Sequence, residues 1–326
     1  MPLVSICVPT YRRAVFLGRT LASALGQTVK DFEIIVVDDC SPDDTADVVQ
    51  GFTDVRIRYV LNEKNQGVPE NLNRAMSLAK GEFLVLLEDH DLLEPNYLEE
   101  TLDVMRRHPN VGFVATGCLT IDEKDRPLER YVMRFPEAME GRKLLRRLLT
   151  RTDCPFSVTA IIRRSAIAGL EPLFDSRYWW YADQYLWMRL AAKADFGYVA
   201  KPLLRFRMRE ADHFLSDRHW ESSLMVDRIH KENWHLLYPA GGLWSRWDRM
   251  RYEKAKTWNA ALARGGKMLR NEPWTEEDER SARSYLSPMG CIVLDGVGRV
   301  PAWIAARLRS LYAARHRNMT HTEAGR

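Results

Sequence analysis

The sequence predicts an α/β protein, with a mainly parallel sheet covered by helices on both faces and a helical C-terminal region after it. Three observations carry that prediction. The first hundred residues alternate short apolar runs with amphipathic helical spacing, the βαβα rhythm of a parallel sheet. Two of those runs close on acidic clusters, Asp38-Asp39 and Glu88-Asp89-His90-Asp91, where open sheets of this kind hold ligands. Beyond about residue 216 the strand signals stop, and a helical pattern rich in Trp and Arg takes over.

Taken in order, residues 4–9 read as a buried strand, 15–25 as a helix and 32–37 as a second strand. Ser41-Pro42-Asp43-Asp44-Thr45 is turn and cap chemistry that opens a helix through 49. A third strand is expected over 55–61, a helix over 69–79 and a fourth strand over 82–87. The second part is less regular. It offers helices at 97–107, 142–150 and 183–192, and strands at 111–120, 157–163, 196–199 and 203–207. The pattern therefore divides the chain into an α/β domain over 1–215, in two parts (1–95 and 96–215), and a helical region over 216–326.

Composition removes several alternatives. The 48 basic and 44 acidic residues leave a net charge of +4, too small to imply a nucleic-acid partner. Five scattered cysteines without a C-x-x-C pair argue against a disulfide framework and for a reducing compartment. The opening residues read as a strand rather than a signal peptide, and no apolar run reaches the roughly 18 residues of a membrane span. The expected setting is cytoplasmic, with room for peripheral contact at the inner face of a membrane.

A carboxylate at a strand end can hold a nucleotide or a hard cation, and magnesium or manganese favours a few such oxygens alongside substrate phosphates. One strand-end Asp would be ordinary capping chemistry. Two clusters in one sheet favour a site.

The ordered set Val4-Ser5-Ile6-Cys7-Val8-Pro9-Thr10-Tyr11-Arg12-Arg13, Ile34-Ile35-Val36-Val37-Asp38-Asp39-Cys40-Ser41, Asn65-Gln66-Gly67-Val68 with Asn73, and Ala79-Lys80-Gly81-Glu82-Phe83-Leu84 leading to the acidic cluster and Pro95 resembles family 2 glycosyltransferases. The match runs over roughly residues 1–215, and it implies a catalytic domain there, with a nucleotide-sugar-binding half (1–95) and an acceptor half (96–215). The resemblance implies the GT-A fold and transfer from a nucleoside-diphosphate sugar such as a UDP-sugar, usually with inversion, in polysaccharide or glycoconjugate synthesis. By position it implies that Pro9, Thr10, Tyr11, Arg13, Asn73 and Asp89 line the nucleotide pocket, with Asp39 on a uracil-like base or ribose and Asp38 supporting it.

Three departures from the family pattern stand out. His90 stands where the family has Asp, and Glu88 where Asp is common. Asp-x-His metal motifs occur in related sugar transferases, and imidazole nitrogen favours Mn²⁺ over Mg²⁺. The expected metal site is His90 with one or more of Glu88, Asp89 and Asp91, and the resemblance adds the later His213, near a family position that helps hold the diphosphate or metal; a donor site without metal, with His90 capping a loop, is the alternative reading. Leu72 replaces an Arg that approaches the diphosphate, and Ala182 replaces the Glu of a Glu-Asp pair. The retained Asp183 is the position of the family's general base; a helix N-cap is its alternative reading.

Trp179, Trp180 and Tyr181 offer aromatic faces for an acceptor sugar, with core packing as the competing reading. Residues 300–317 form a basic amphipathic stretch that suits an anionic membrane, or a helix docked on the catalytic domain. Carbohydrate or lipid-linked molecules are the expected acceptors. Two other functions compete. A nucleotidyltransferase would want a glycine-rich loop after the first strand, which Pro9-Thr10-Tyr11-Arg12-Arg13 lacks. A catalytically silent nucleotide-sugar or glycan-binding module is the stronger alternative.

Overall fold

The computed structural model describes residues 1–151, 158–209, 219–239, 242–270, 275–286 and 291. The chain divides into two compact units. Of the described residues, the first takes 1–149, 158–209 and 229–239, and the second takes 150–151, 219–228, 242–270, 275–286 and 291.

The first unit is built on one mixed sheet. Strands β1 (Val4–Thr10), β2 (Phe32–Asp38), β3 (Ile57–Leu61) and β4 (Phe83–Leu86) lie in the order β3-β2-β1-β4, all parallel. Helices α1 (Ala14–Leu25), α2 (Thr45–Gln50) and α3 (Val68–Leu78) make the crossovers. Ile6, Val8, Ile34, Val36 and Val85 are buried with Leu17, Leu21 and Ala24 of α1 in the core. Strands covered on both faces can be apolar without alternation, which is why 4–8 and 34–37 read as continuous runs.

Gly81 fixes the entry to β4. A Cβ on it would stand 2.6 Å from the Ser5 backbone nitrogen, so only hydrogen fits. Its N–H donates to Ser5 Oγ at 2.7 Å, and the Lys80 N–H does so at 3.0 Å.

The rest of the sheet continues beyond β4. The short strand β5 (Leu92–Leu93) and helix α4 (Tyr97–Arg107) lead to β6 (Val111–Ile121), followed by β7 (Pro127–Tyr131), β8 (Ala138–Met139) and helix α5 (Gly141–Thr150). Then come β9 (Ile161–Arg163), α6 (Arg164–Ile167), a 3₁₀ segment over Ser176–Tyr181, α7 (Ala182–Lys193) and β10 (Asp195–Arg207). β9 runs antiparallel between β4 and β6, while β6 and β10 are parallel. The parallel character therefore belongs to the first four strands, and the second part is mixed. The two strands expected at 196–199 and 203–207 are one irregular strand whose register shifts around Pro202, a residue with no N–H for the ladder. α7 packs through Trp187, whose ring stacks on Phe113 at 5.5 Å between centroids.

Helix α8 (His219–Asn233) has its last residues in the first unit. The second unit holds α9 (Leu243–Arg270) and α10 (Glu276–Tyr285). α10 opens on a capping box in which Thr275 and Asp278 satisfy each other's end of the helix. A buried ion pair, Lys256 to Asp227 at 2.8 Å, receives a further hydrogen bond from Tyr252. No described helix is long and apolar enough to cross a membrane.

Candidate active site

The four parallel strands end together, so the residues after each meet at one edge. The chain leaves β1, returns through β2 and β3 on one side and reaches β4 on the other, which makes the β1/β4 gap a topological switch point. Thr10 ends β1, Asp38 ends β2 with Asp39 just beyond it, Asn62 follows β3 and Glu88 follows β4.

Asp39 organises the first of these ends. Its carboxylate accepts from Asn62 Nδ2 at 2.7 Å, Gln66 N at 2.9 Å and Gly67 N at 2.9 Å. Its own N–H donates to the Thr10 carbonyl at 2.9 Å. Gly67 takes φ +91°, which a side chain would strain, and its carbonyl starts α3 by accepting the Asn71 N–H. Asp38 supports from beneath by accepting from Ser41 N at 2.9 Å and from the Tyr59 hydroxyl at 2.6 Å. Asn71 completes the network, donating to the Val37 carbonyl and accepting from Asn62. Sequence reading missed Asn62, Asn71 and Tyr59. The available signal was a polar residue just past β3, which is where β2 carries Asp39.

The β1–α1 loop joins this network to the acidic cluster. Arg12 and Cys40 both have left-handed backbone, and Arg12 N–H donates to Ser41 Oγ at 2.9 Å. Tyr11 N–H donates to Asp89 Oδ2 at 3.3 Å, and Arg13 Nε lies 3.9 Å from Asp89 Oδ1. Asp89 also meets His90 Nδ1 at 2.9 Å. An Asp89 that accepts the Nδ1 proton leaves Nε2 as the free imidazole lone pair.

Asp89 therefore turns toward the loop, and the remaining three residues of the cluster converge. One ligand atom from each of Glu88, His90 and Asp91 lies within 4.8 Å of the others, with His90 Nε2 3.7 Å from Glu88 Oε2. Asp91 is fully buried; Oδ1 accepts the Arg207 N–H at 2.9 Å, while Oδ2 has no hydrogen-bond partner. An orphaned buried carboxylate oxygen beside a second carboxylate and an imidazole nitrogen fits a divalent cation, and the mixed nitrogen–oxygen set suits Mn²⁺.

Burial pushes the Asp91 carboxyl up to about 7; the Glu88 charge adds to this, and His90 and Arg207 oppose it. For His90 burial acts downward, but the Asp89 hydrogen bond and the Glu88, Asp91 and Asp89 charges outweigh it, so its pKa is raised. Arg207, also missed from sequence, holds the cluster from β10: buried, it donates through Nε to the His90 carbonyl at 2.7 Å and pairs with Asp125.

Asp183 is the second residue of α7, whose N-cap is Tyr181, so the N-cap reading gives way to a place inside the first turn. It accepts the Gln184 N–H at 2.7 Å. Burial pushes its carboxyl up to about 7, and the Glu88 charge contributes in the same direction. That coupling links Asp183 to the acidic cluster.

Asn73 was expected to face the nucleotide. Both ends of its carboxamide instead engage Phe174: Nδ2 donates to the carbonyl at 2.7 Å and Oδ1 accepts the N–H at 3.0 Å. Leu72 is buried. Trp179 is partly exposed with φ +39°, Tyr181 is half-buried, and the Trp180 side chain lies outside the described residues. His213 and residues 300–317 also lie outside them.

The parallel half-sheet, the strand-end carboxylates and the mixed second half define a sugar transferase of GT-A architecture. The profile of glycosyl transferase family 2 matches residues 5–170, and the chain belongs to that family. It is a glycosyltransferase. Among its relatives, TuaG of Bacillus subtilis, provisionally named a teichuronic acid biosynthesis glycosyltransferase, is 27% identical over 71% of this chain and 88% of its own. A GalNAc(5)-diNAcBac-PP-undecaprenol beta-1,3-glucosyltransferase of Campylobacter jejuni is 41% identical over 36% of this chain and 39% of its own. Among solved structures, S. aureus TarS in complex with UDP superposes with a TM-score of 0.63 at 17% identity, covering 97% of this chain and 91% of that one. The same enzyme fragment with UDP-GlcNAc gives 0.58 at 18% identity over 86% and 89%.

Proposed function

We propose that the protein is an inverting glycosyltransferase that uses a nucleoside-diphosphate sugar, with Asp183 as general base and a divalent cation held by Glu88, His90 and Asp91. The observation that carries this reading is the convergence of Glu88, His90 and Asp91 ligand atoms within 4.8 Å of one another at the strand ends, and the Asp183 carboxyl, which burial raises to about 7, supports it. A base poised near neutral pH both exists as carboxylate and gains driving force to take a proton. The relatives and structures whose names include UDP, UDP-GlcNAc or an undecaprenol-linked glycan support a UDP-sugar donor and a glycan or lipid-linked acceptor.

In this reading Asp39, Asp38, Pro9, Thr10 and Tyr11 form the nucleotide pocket. Thr10 Oγ1, buried without a hydrogen-bond partner, supports a polar contact there. Arg13 meets diphosphate charge that Leu72 cannot, and Asp89 orients both Arg13 and His90. Glu88, His90 and Asp91 would hold the Mn²⁺ or Mg²⁺, whose charge would offset that of the departing diphosphate. The acceptor hydroxyl gives its proton to Asp183 as its oxygen attacks the anomeric carbon. The bond to the nucleoside diphosphate breaks on the opposite face, which inverts the centre. Trp179, Trp180 and Tyr181 offer apolar faces to the acceptor sugar.

The domain scheme of 1–215 and 216–326, the His213 contact and the membrane contact through 300–317 stand as parts of this proposal, as does a cytoplasmic setting. Turnover with a panel of UDP- and GDP-sugars tests it. Asp183→Asn loses about 10²–10⁴ in rate while remaining folded, and activity lost in EDTA returns with Mn²⁺. Normal turnover by the Asn variant refutes the base; undiminished turnover in EDTA refutes the cation. Nucleotide binding without any transfer would identify a binding module.

A further inference from the structure

The segment that carries Asp183 has little regular structure of its own. It runs from Phe174 through the 3₁₀ turns of Ser176–Tyr181 into α7, and Trp179 inside it has φ +39° and ψ −102°. Such turns have poor internal hydrogen-bond geometry, and a strained aromatic residue persists only where its surroundings over-determine it. The surroundings here come from two distant stretches of the first unit. On one flank, α3 presents Asn73, whose carboxamide pairs with both backbone groups of Phe174. On the other, the last turn of α8 presents Glu232, which accepts from the Tyr178 hydroxyl and lies 3.5 Å from Arg177. One turn away, the buried Gln184 amide reaches His230 Nε2 at 3.2 Å.

We propose that Asn73 on one side, and Glu232 with His230 on the other, are positioning residues that latch the 174–185 segment and so set where Asp183 and Trp179 meet the acceptor. The proposal rests on the reading of Asp183 as base. It also reassigns Asn73 from holding the nucleotide to holding the base. A small misplacement of a reacting group costs on the order of 10²-fold in rate, so the latch acts on turnover and spares the nucleotide pocket, where Asp39 has its own partners.

The test compares Asn73→Ala, Asn73→Asp, Tyr178→Phe, Glu232→Ala and Glu232→Gln with the parent chain. Three quantities are read: kcat and acceptor KM, the affinity for UDP with Mn²⁺ by calorimetry, and amide hydrogen exchange over 174–185. The latch predicts kcat lower by roughly 10- to 100-fold in the Asn73 variants, UDP affinity within about twofold of the parent, and faster exchange confined to 174–185. Glu232→Gln still accepts from Tyr178 and retains more turnover than Glu232→Ala. Parallel loss of UDP affinity and turnover in Asn73→Ala overturns the proposal in favour of a nucleotide contact. Unchanged exchange over 174–185 in all five variants also overturns it, even for a preparation that transfers no sugar. Should Asp183→Asn prove fully active while the exchange result holds, the base assignment fails and the latch stands.

Discussion

Asp183 is asked to be half-buried and to be charged, and the two demands set its behaviour with pH. Its folded pKa, about 7, lies above the ordinary carboxyl value of about 3.9. Between those values the native chain keeps a proton that the unfolded chain has released, so stability falls as pH rises through the window and is lowest above 7. Asp183→Asn removes that cost. At pH 8 the variant is expected to melt higher than the parent, by roughly 2 °C or more, while turning over far more slowly. Calorimetry and initial rates on one preparation check both halves. The parent's kcat/KM should fall about tenfold per pH unit below about 7, as the base becomes protonated. At this scale the sequence was a good guide to where Asp39, Glu88 and Asp183 stand, because strand-end position and a helix start are local properties. It was a poor guide to Asn73. The direction of that carboxamide depends on Phe174, which sits far along the chain and leaves no trace in the residues next to Asn73.

Among the elements, the four parallel strands were legible because a strand buried on both faces has to be apolar throughout. β9 was harder. It is a three-residue strand inserted antiparallel between β4 and β6, and no local pattern announces which neighbours it will choose. β5 and β8, of two residues each, lie below any periodic signal. The β3 start was also misplaced. Asp54 turns the chain by accepting from the Arg56 N–H at 2.9 Å, so the strand begins at Ile57 rather than at 55. Where β1 and β4 approach, Gly81 allows no side chain, since a Cβ would stand 2.6 Å from Ser5 N and 2.7 Å from the Val4 carbonyl carbon. Gly81→Ala is expected to cost about 3 kcal/mol, the upper part of the overpacking range, because backbone cannot step aside as a side chain tip can. Urea denaturation measures it. In the second unit, Thr275→Ala removes one half of the capping box and should cost about 1 kcal/mol by the same measurement.

Across the molecule, the site draws on strand ends, a loop, a helix start and β10, so its ligands should stabilise the first unit as a whole. A divalent cation at about 100 times its dissociation constant adds roughly 2.7 kcal/mol to the native state. Thermal melts with Mn²⁺, and then with excess EDTA, should show a rise and its reversal. His90→Ala should abolish the rise at unchanged fold, since it removes the nitrogen donor. Unlike Asp91, which keeps an orphaned oxygen, Asp39 is fully committed. Its oxygens are already spoken for by Asn62, Gln66 and Gly67 before any nucleotide arrives. An alanine scan would score Asp39 among the strongest binding residues, yet what such a variant forfeits first is the shape of the 62–67 loop. On the proposed reading the pocket wall is thus finished in advance, and a nucleotide entering it would have little backbone left to freeze.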